Sequence, residues 1–365
     1  MGLKISIFGA GHGGITAAAD MTERGHTVTL YQSPQSDRDL SKIEETGEIN
    51  FNGSPVKIHK FTREVAEAVH DQDVLMLAIP STAIEPVAEN IAPHLEDGQY
   101  ILINSASAMC SIRFKRVLHN MKADVDIKVG ETMSLTYASR YFPEKNEAQL
   151  IAYNKHNLFA AYPSRHTEEM LEVFNRMYDH LKPAENILET TLNNGNPESH
   201  PGPSILNAGR IDYAGDEFYL YKEGITEHTV NVIHRIDEER QAICKALGFE
   251  ALSKSERSVR SGYFEEGKSL LEQYNSSKVL KDIVGPTDLE NRYVTEDVSN
   301  GLVLWASIGD MVDVETPVMD AVITLTGVLL GRDYFKQGVT LGKLGIESTN
   351  AEQLNHLMKY NHTRD

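Results

Sequence analysis

The chain has little cysteine and far fewer basic than acidic residues. Its 365 residues include only 2 cysteines, Cys110 and Cys244, which are far apart and lack the spacing of metal ligands. This argues against a disulfide framework, predicts no metal site and fits a reducing cytoplasm. The 53 acidic residues against 35 basic ones give a net charge of −18. A charge of this sign disfavours binding to nucleic acid and to anionic membranes, so an anionic substrate would need a local cationic pocket.

Long hydrophobic runs are also missing. No run of about 18 apolar residues, the minimum for a membrane helix, occurs, and the N-terminus lacks a charged leader followed by an apolar segment. Hydrophobic residues make up 41% and charged residues 24% of the chain, which are ordinary values for a folded protein. We therefore expect a cytoplasmic protein with no membrane partner and, from its length, about two domains.

The strongest local motif is a glycine-rich turn near the N-terminus. An apolar run at 3–8 leads into Gly9-x-Gly11-x-x-Gly14, and a helical pattern follows at 15–23. Strand, glycine turn and helix in this order are typical of a dinucleotide-binding site, in which the backbone approaches the pyrophosphate and the helix N-terminus binds it. The predicted cofactor-binding residues of this turn are Gly9, Gly11, His12, Gly13 and Gly14.

The end of the second predicted strand, 27–31, bears on the choice of cofactor. The position that normally holds an Asp or Glu for the ribose 2′-hydroxyl of NAD is Gln32, followed by Ser33. Without a carboxylate the site does not repel a 2′-phosphate, and Arg38 in the next loop could pair with one. We therefore expect NADP to be preferred, with NAD as the alternative. The competing interpretation is that Arg38 is a solvated loop charge beside acidic neighbours.

Strands and helices continue to alternate up to about residue 185. Apolar runs predict further strands at 73–79, 100–104 and 127–131. Ile79 and Pro80 stand at the end of one of them, where open α/β sheets bind ligands, and we expect them to contact the cofactor or, for Ile79, to pack in the core. The pattern predicts an α/β fold, with a Rossmann-type doubly wound sheet over residues 1–185.

Long helical patterns replace this alternation in the second half of the chain. They cover residues 226–247, 266–281, 300–312 and 316–330. We therefore expect a mainly α-helical second domain over residues 186–365, with a ligand cleft near its beginning.

A polar stretch at 193–200 stands where the second domain begins. Prolines constrain its backbone, and we expect His200 to lie in a partly exposed segment. Arg292 and Asp297 share a segment that we interpret as a loop. A carboxylate that orients an imidazole, and a guanidinium that binds a carboxylate, are the groups that reduction of a 2-oxo acid needs. Asn196 either binds the substrate or fixes the loop.

Three further motifs accompany the glycine turn. They are Asn196-Pro197-x-x-His200, Leu206-Asn207-Ala208-Gly209-Arg210 and Arg292-Tyr293-x-Thr295-Glu296-Asp297-Val298. Together the four motifs resemble the octopine/nopaline (opine) dehydrogenase family, and the resemblance covers essentially the whole chain. It implies a Rossmann domain, a helical domain and a substrate between them. It also implies that His200 and Asp297 form the catalytic pair and that Arg292 binds the substrate. Gln32 departs from the acid typical of NADH-using members.

The resemblance implies an NAD(P)-dependent oxidoreductase that condenses an amino acid with a 2-oxo acid of the pyruvate or 2-oxoglutarate class. The amine and the oxo acid form a carbinolamine that loses water, and the resulting imine accepts hydride readily only when it is protonated. His200, oriented by Asp297, would supply the proton. Arg292 would bind the carboxylate of the oxo acid at two points.

Two other interpretations stay open. A 2-hydroxy acid or keto acid reductase of related two-domain architecture would use the same His, Asp and Arg for carbonyl reduction. A regulator that senses NADP(H) without turnover would need only the nucleotide site. In each case the expected partners are small molecules, and we also consider a homodimer.

Overall fold

The apolar runs of the first half of the chain form the strands of a sheet. The computed structural model describes residues 2–105, 107–346 and 350–360, and the chain forms two units, Met1–Ile187 and Leu188–Asp365. The strands are β1 Lys4–Phe8, β2 Thr27–Tyr31, β3 Glu48–Phe51, β4 Ser54–Lys57, β5 Lys60–Thr62, β6 Val74–Leu77, β7 Tyr100–Ile103, β8 Lys128–Thr132, β9 Tyr137–Phe142, β10 Glu147–Tyr153, β11 Asn157–Tyr162 and β12 Leu181–Pro183.

The main sheet of the first unit has 8 strands in the order β12-β11-β8-β7-β6-β1-β2-β5. All neighbouring strands are parallel except β8 and β11, which are antiparallel. In β1, Ile5 lies beside Val28 of β2 and Val74 of β6, and all three side chains are fully buried. Burial of both faces explains why these strands are continuous apolar runs in the sequence. The predicted Rossmann-type sheet is confirmed.

The helices of the first unit are α1 His12–Glu23, α2 Ser41–Thr46, α3 Val65–Val69, α4 Ile84–Ile91, α5 Cys110–Asn120 and α6 Thr167–Phe174. The first helix begins at His12, inside the glycine motif, and not at residue 15 as the apolar pattern predicted. The Gly11 carbonyl accepts the N–H of Ile15 at 3.0 Å, so the turn itself starts the helix.

A second sheet of 4 strands, in the order β4-β3-β10-β9, was not predicted from the sequence. Strands β3 and β4 have only 4 residues each, and β3 pairs with β10 through Asn50 and Glu147, which are far apart in the chain. Such non-local pairing leaves no periodic signal in either segment. Strand β9 packs on α1, and this places its side chains beside the glycine turn.

The second unit is helical, as predicted. Its helices are α7 Ile187–Leu192, α8 Asn196–Ser199, α9 Pro201–Leu206, α10 Ala208–Ala214, α11 Thr229–Leu247, α12 Lys254–Arg260, α13 Leu270–Ser276, α14 Arg292–Glu296, α15 Val303–Met311, α16 Pro317–Leu330, α17 Tyr334–Gln337 and α18 Ala351–Tyr360. Helix α11 ends at Gly248, which has a φ of 82° that other residues rarely adopt. In the part of the chain that the structure describes, no helix has the length and apolar character to cross a membrane.

Some predicted boundaries in the second unit were wrong. The predicted helix at 266–281 is confined to α13, and the one at 300–312 is a π-helical segment, Asp297–Leu302, that continues into α15. The segment that we interpreted as a loop forms α14 instead. Asn291 caps this helix by accepting the N–H of Tyr293 at 3.1 Å, a local signal that the sequence analysis overlooked.

Candidate active site

The glycines of the N-terminal turn fit a nucleotide in their geometry. Gly9 has a φ of 109°, and a Cβ there would lie 2.4 Å from the Ala78 carbonyl oxygen and 2.9 Å from Ile79 Cγ2. A Cβ at Gly14 would lie 1.7 Å from the Gly9 carbonyl oxygen. These close approaches pack α1 on the sheet and bring Ile79, half-buried, next to the turn, while Pro80 beyond it is exposed.

The start of α1 is open to an anion. A Cβ at Gly11 would meet no atom within 4 Å, whereas one at Gly13 would lie 2.7 Å from Leu135 Cδ2. Among the described residues, no side chain caps the helix and no acid lies in its first turn. Uncapped N–H groups beside the space at Gly11 fit the pyrophosphate of a dinucleotide.

Gln32 turns its side chain towards its own loop. The residue is 1% exposed, and its Nε2 donates to the Arg38 carbonyl at 2.8 Å and to Ser36 Oγ at 3.2 Å. The Ser33 hydroxyl donates to Gln35 Oε1 at 2.7 Å. Gln32 therefore shapes the loop that contains Arg38.

Two guanidinium groups lie near His12, at the first residue of α1. The half-buried Arg38 comes from the loop after β2, and the half-buried Arg140 comes from β9. Partial burial of the ring, followed by the charges of Arg140 and Arg38, lowers the pKa of His12 to about 4. The Tyr141 N–H donates to His12 Nδ1 at 2.9 Å and Ser139 Oγ donates to the His12 carbonyl at 3.3 Å, which fixes β9 against the turn.

Arg38 and Arg140 keep their charge available to a ligand. Neither forms an ion pair with any residue in the described ranges, and Arg140 donates only to the Ser139 carbonyl, at 3.0 Å. The nearby Asp39 accepts the Ser41 N–H at 3.0 Å. Arg38 was predicted from the sequence but Arg140 was not, because only the second sheet brings β9 to this position.

His200 and Asp297 lie together in the second unit. The Asp297 Oδ2 is 2.7 Å from His200 Nδ1, although the residues are 97 positions apart. His200 is 4% exposed and Asp297 is 3% exposed. The prediction that His200 lies in a partly exposed segment was therefore wrong, because the polar stretch around it packs in the interior.

The prolines of this stretch separate two short helices. Helix α8 ends at Ser199, and α9 begins at Pro201 with a proline in its first turn, where the missing N–H costs no hydrogen bond. His200 lies between them, donating its N–H to the Asn196 carbonyl at 3.0 Å and accepting the Ser204 N–H at 3.0 Å. The backbone of His200 is thus held from both sides.

A buried group of charges supports the segment that leads to His200. Glu198 is fully buried, and Arg257 Nη2 lies 2.6 Å from each of its carboxylate oxygens. Lys254 Nζ and Arg240 Nε lie 3.1 and 3.4 Å from the same carboxylate. Each of these cations also donates to a backbone carbonyl: Lys254 to that of Gly195 at 3.1 Å, Arg257 to that of Asn193 at 3.0 Å and Arg240 to that of Leu192 at 3.4 Å. The neutralised charge explains how so polar a stretch can be buried.

Tyrosines surround the imidazole of His200. The Tyr221 hydroxyl is 2.6 Å from Nε2, and the Tyr293 ring stacks on the imidazole with centroids 4.0 Å apart and planes 10° apart. Tyr221 in turn stacks on Tyr274 with centroids 6.0 Å apart. Tyr293 belongs to a motif quoted above, but no sequence pattern indicated Tyr221, which lies in a π-helical segment, Leu220–Gly224.

Arg292 lies on α14, one turn before Asp297. Its side chain is 56% exposed, and its Nε lies 2.9 Å from Glu296 Oε2. The half-buried Asn196 makes no side-chain hydrogen bond within the described part of the chain, whereas Asn207 donates to the Pro203 and Gly224 carbonyls at 2.8 and 3.0 Å. The Asn196 amide is thus available to a ligand, and Asn207 joins two structural segments.

The described residues contain no group of three or more His, Cys, Asp or Glu side chains that could hold a metal ion. Both cysteines, Cys110 and Cys244, are free thiols and buried.

Two family models match the chain. The model for the alpha-helical domain of NAD/NADP octopine/nopaline dehydrogenase matches residues 183–330. The model for the N-terminus of NAD-dependent glycerol-3-phosphate dehydrogenase matches residues 4–123.

Whole-chain relatives agree with the first of these matches. An opine dehydrogenase of Arthrobacter sp. (strain 1C) is 30% identical over 350 residues, which cover 95% of this chain and 96% of that relative. A structure of octopine dehydrogenase with NADH and L-arginine has a TM-score of 0.74 at 16% identity, covering 100% of this chain and 99% of that one. Yersinopine dehydrogenase bound to NADP+ has a TM-score of 0.65 at 17% identity, with 98% of each chain covered.

Proposed function

The chain belongs to the octopine/nopaline dehydrogenase family, and we propose that it catalyses the NAD(P)H-dependent condensation of an amino acid with a 2-oxo acid. The product is an N-(carboxyalkyl) amino acid, and the oxo acid is of the pyruvate or 2-oxoglutarate class. The observation that carries the proposal is the buried hydrogen bond between His200 and Asp297, with Nδ1 and Oδ2 2.7 Å apart. Burial of an ionisable pair costs free energy, so its presence in an oxidoreductase of this family favours a catalytic role.

The first unit of the protein would hold the dinucleotide, which supplies the hydride when it is bound. Gly9, Gly11 and Gly14 would receive the pyrophosphate at the start of α1, since a side chain at these positions would fill the space or clash. Gly13 and His12 complete the turn. Ile79 and Pro80 would line the neighbouring part of the site.

The second unit would provide the acid. Asp297 accepts a hydrogen bond from Nδ1–H of His200 and so fixes the orientation of the ring, with Nε2 facing away from the carboxylate. A proton from Nε2 is then available for the loss of water from the carbinolamine, and the imine that forms is protonated because its nitrogen keeps its hydrogen. A neutral imine is a poor hydride acceptor, so this proton sets the rate of reduction.

Arg292 would bind the carboxylate of the oxo acid. Its guanidinium already pairs with Glu296 through Nε, which leaves both terminal nitrogens for a second carboxylate. Asn196 would hydrogen-bond the substrate through its unbonded amide. In a protein with a net charge of −18, such local donors are needed to hold an anionic substrate.

NADPH would be preferred to NADH. Gln32 contributes no negative charge where a ribose-binding acid would stand, and Arg38 and Arg140 form no ion pairs in the ranges described. Both lie close enough to His12 to depress its pKa, so they share one region of the cofactor site. A 2′-phosphate there would gain two charge-assisted hydrogen bonds that NADH lacks.

The proposal is tested by following NADPH consumption with pyruvate or 2-oxoglutarate across a panel of amino acids, with mass spectrometry of the products. We expect consumption that requires both substrates and yields a secondary amine. Consumption with the oxo acid alone, or NADP+ reduction by a 2-hydroxy acid without amine, would point instead to a keto acid reductase. Tight NADPH binding without turnover across the panel would point to a sensor.

A further inference from the structure

Both ring nitrogens of His200 are occupied by protein groups. Asp297 Oδ2 lies 2.7 Å from Nδ1, and the Tyr221 hydroxyl lies 2.6 Å from Nε2. One face of the ring is also covered, because the Tyr293 ring stacks on it with centroids 4.0 Å apart. A substrate that takes a proton from this imidazole must therefore receive it through Tyr221 or displace Tyr221.

Tyr221 is held too firmly for displacement to be easy. The residue is 5% exposed, its ring stacks on Tyr274 with planes 11° apart, and its backbone carbonyl accepts the Asn275 side chain at 2.8 Å. The Tyr221 hydroxyl also bonds to Tyr293, which is half-buried. Turning the hydroxyl away from His200 would leave a buried polar group unpaired, at a cost of about 1–3 kcal/mol.

On the basis of the proposed function, we propose that Tyr221 transfers the proton from His200 to the substrate. In the dehydration step, the Tyr221 O–H bond breaks and its proton joins the carbinolamine oxygen, which leaves as water. At the same time the Nε2–H bond of the His200 imidazolium breaks and that proton joins the Tyr221 oxygen. Tyr221 is again a neutral phenol at the end of the step, His200 becomes neutral, and no group is oxidised or reduced. The carbinolamine nitrogen keeps its hydrogen, and its lone pair forms the C=N bond as water leaves, so the product is the protonated imine that accepts hydride.

The protonation state of the His200 imidazole controls the direction in which the Tyr221 hydroxyl donates its hydrogen bond. A hydroxyl has one proton to give and lone pairs to receive another. When the imidazole is neutral, its Nε2 accepts the Tyr221 proton. When the imidazole is cationic, Nε2–H donates to the Tyr221 oxygen, and the hydroxyl proton turns away from the imidazole, towards Tyr293 or towards a substrate that binds in place of that contact. Protonation of a group buried beside Asp297 thus makes Tyr221 a donor on its far side.

The environment of Tyr221 suits a residue that stays neutral throughout. Burial, followed by the effects of Tyr293 and Tyr274, raises the pKa of Tyr221 well above its ordinary value. A free tyrosinate would therefore be costly, and the proton must arrive from His200 as the other leaves. The transfer moves two protons in one step, which distinguishes it from direct donation by His200.

The test compares Y221F with Y274F in single-turnover reduction, with both substrates and NADPH bound. Tyr274 is a matched control, because it is fully buried and stacked on Tyr221 but its hydroxyl bonds to Ser199 and not to the imidazole. We expect Y221F to reduce the rate by about 100-fold or more, the range for a lost acid, with unchanged Kd for NADPH. Y274F should stay within about threefold of wild type. An unchanged rate in Y221F would overturn the proposal.

A proton inventory in H2O and D2O mixtures provides the second measurement and needs no variant. Two protons in flight predict a curved dependence of the wild-type rate on deuterium fraction, and a linear dependence would overturn the proposal even if Y221F failed to fold. These results stand apart from the proposed function itself. If the wild-type protein formed no secondary amine, the proposed function would be contradicted, whatever the variants showed.

Discussion

Gly301 lies so close to Pro197 that a Cβ on the glycine would come within 2.4 Å of Pro197 Cγ. Pro197 precedes His200 by one helical turn, and Gly301 follows Asp297 by another. The contact therefore sets the distance between the segments that hold the ion pair. A single methyl group at this point would push the imidazole and the carboxylate apart.

The substitution G301A should therefore lower kcat by about 10- to 100-fold, since a misplacement of about 1 Å can cost that much. Overpacking should also lower the free energy of unfolding by about 1–3 kcal/mol. Steady-state kinetics and chemical denaturation measure the two effects. G209A is the matched control, because a Cβ at Gly209 would meet no atom within 4 Å. Equal activity of the two variants would show that the contact does not set the geometry.

Removing the charge of Asp297 while keeping its shape should test the ion pair. In D297N the amide oxygen can still accept from Nδ1, but the imidazolium loses its counter-charge, so we expect kcat to fall by about 10²–10⁴ with little change in KM. The exposed Asp212 provides a control in D212N, which should behave as wild type. A D297N variant with full kcat would remove Asp297 from the mechanism.

Arg292 should affect the oxo acid and nothing else. We expect R292A to raise the KM for the oxo acid by roughly 30-fold, equivalent to about 2 kcal/mol, the lower end of the range for a lost charged partner. The lower end applies because the side chain is 56% exposed. R292K should recover little, since an ammonium lacks the two-point geometry of a guanidinium.

R235A is the control for Arg292, because the Arg235 side chain is 59% exposed and also pairs with a glutamate of its own helix, Glu238 on α11. Its KM values should match those of wild type. If R292A instead kept its oxo acid KM and only melted earlier, Arg292 would be a surface ion pair with a small effect on stability.

Arg140 should discriminate between the two nucleotides. Loss of a charge-assisted hydrogen bond costs about 1.5–3 kcal/mol, so R140A should raise the KM for NADPH by roughly 10- to 100-fold and leave that for NADH unchanged. R38A should act in the same direction. K145A lies on the same hairpin as Arg140, with its Nζ over the Phe142 ring, and should change neither value. Parallel losses with both nucleotides would contradict a 2′-phosphate contact.

His12 should make stability depend on pH. Its pKa is about 4 in the folded chain against an ordinary value of 6.5, so the unfolded chain takes up a proton first as the pH falls. Stability is thus lost as the pH falls from about 6.5 to about 4. Relative to H12N, wild type should lose about 1 kcal/mol of unfolding free energy between pH 7 and pH 4.5, a value reduced for solvent screening.

Chemical denaturation at a series of pH values measures this difference. An asparagine keeps an acceptor for the Tyr141 N–H, so H12N should fold normally. H228N, at an exposed position, should follow wild type at every pH. A constant difference between wild type and H12N would mean that the His12 ring titrates alike in both states.

The parts of the molecule that could be predicted from the sequence are those whose interactions are local. Strand β1, the turn at Gly9 and the helix after it are neighbours in the chain, and steric limits on glycine fix their shape. The pairing of His200 with Asp297 came from family resemblance, because spacing alone cannot join residues 97 positions apart. Arg140 and Tyr221 were not predicted for the same reason. Each is distant in sequence from the other residues of its site and reaches them only through tertiary packing.

The burial of His200 was mispredicted for a different reason. Polarity was interpreted as exposure, but Glu198 is neutralised by Arg257 and Arg240, which come from distant helices. Hydropathy assigns each residue a value without regard to its partners. Any buried network of charges will look like a surface loop to such an analysis.

The charges around Glu198 also limit how this protein can be redesigned. Three cations contact the Glu198 carboxylate, two of them also pair with the buried Asp237, and together they donate to three backbone carbonyls, so a substitution at any of them changes the charge balance of the interior and loosens residues 192–195 as well. Libraries aimed at a change of substrate should leave this network intact. Diversity is better placed at Asn196, whose amide forms no hydrogen bond in the described chain.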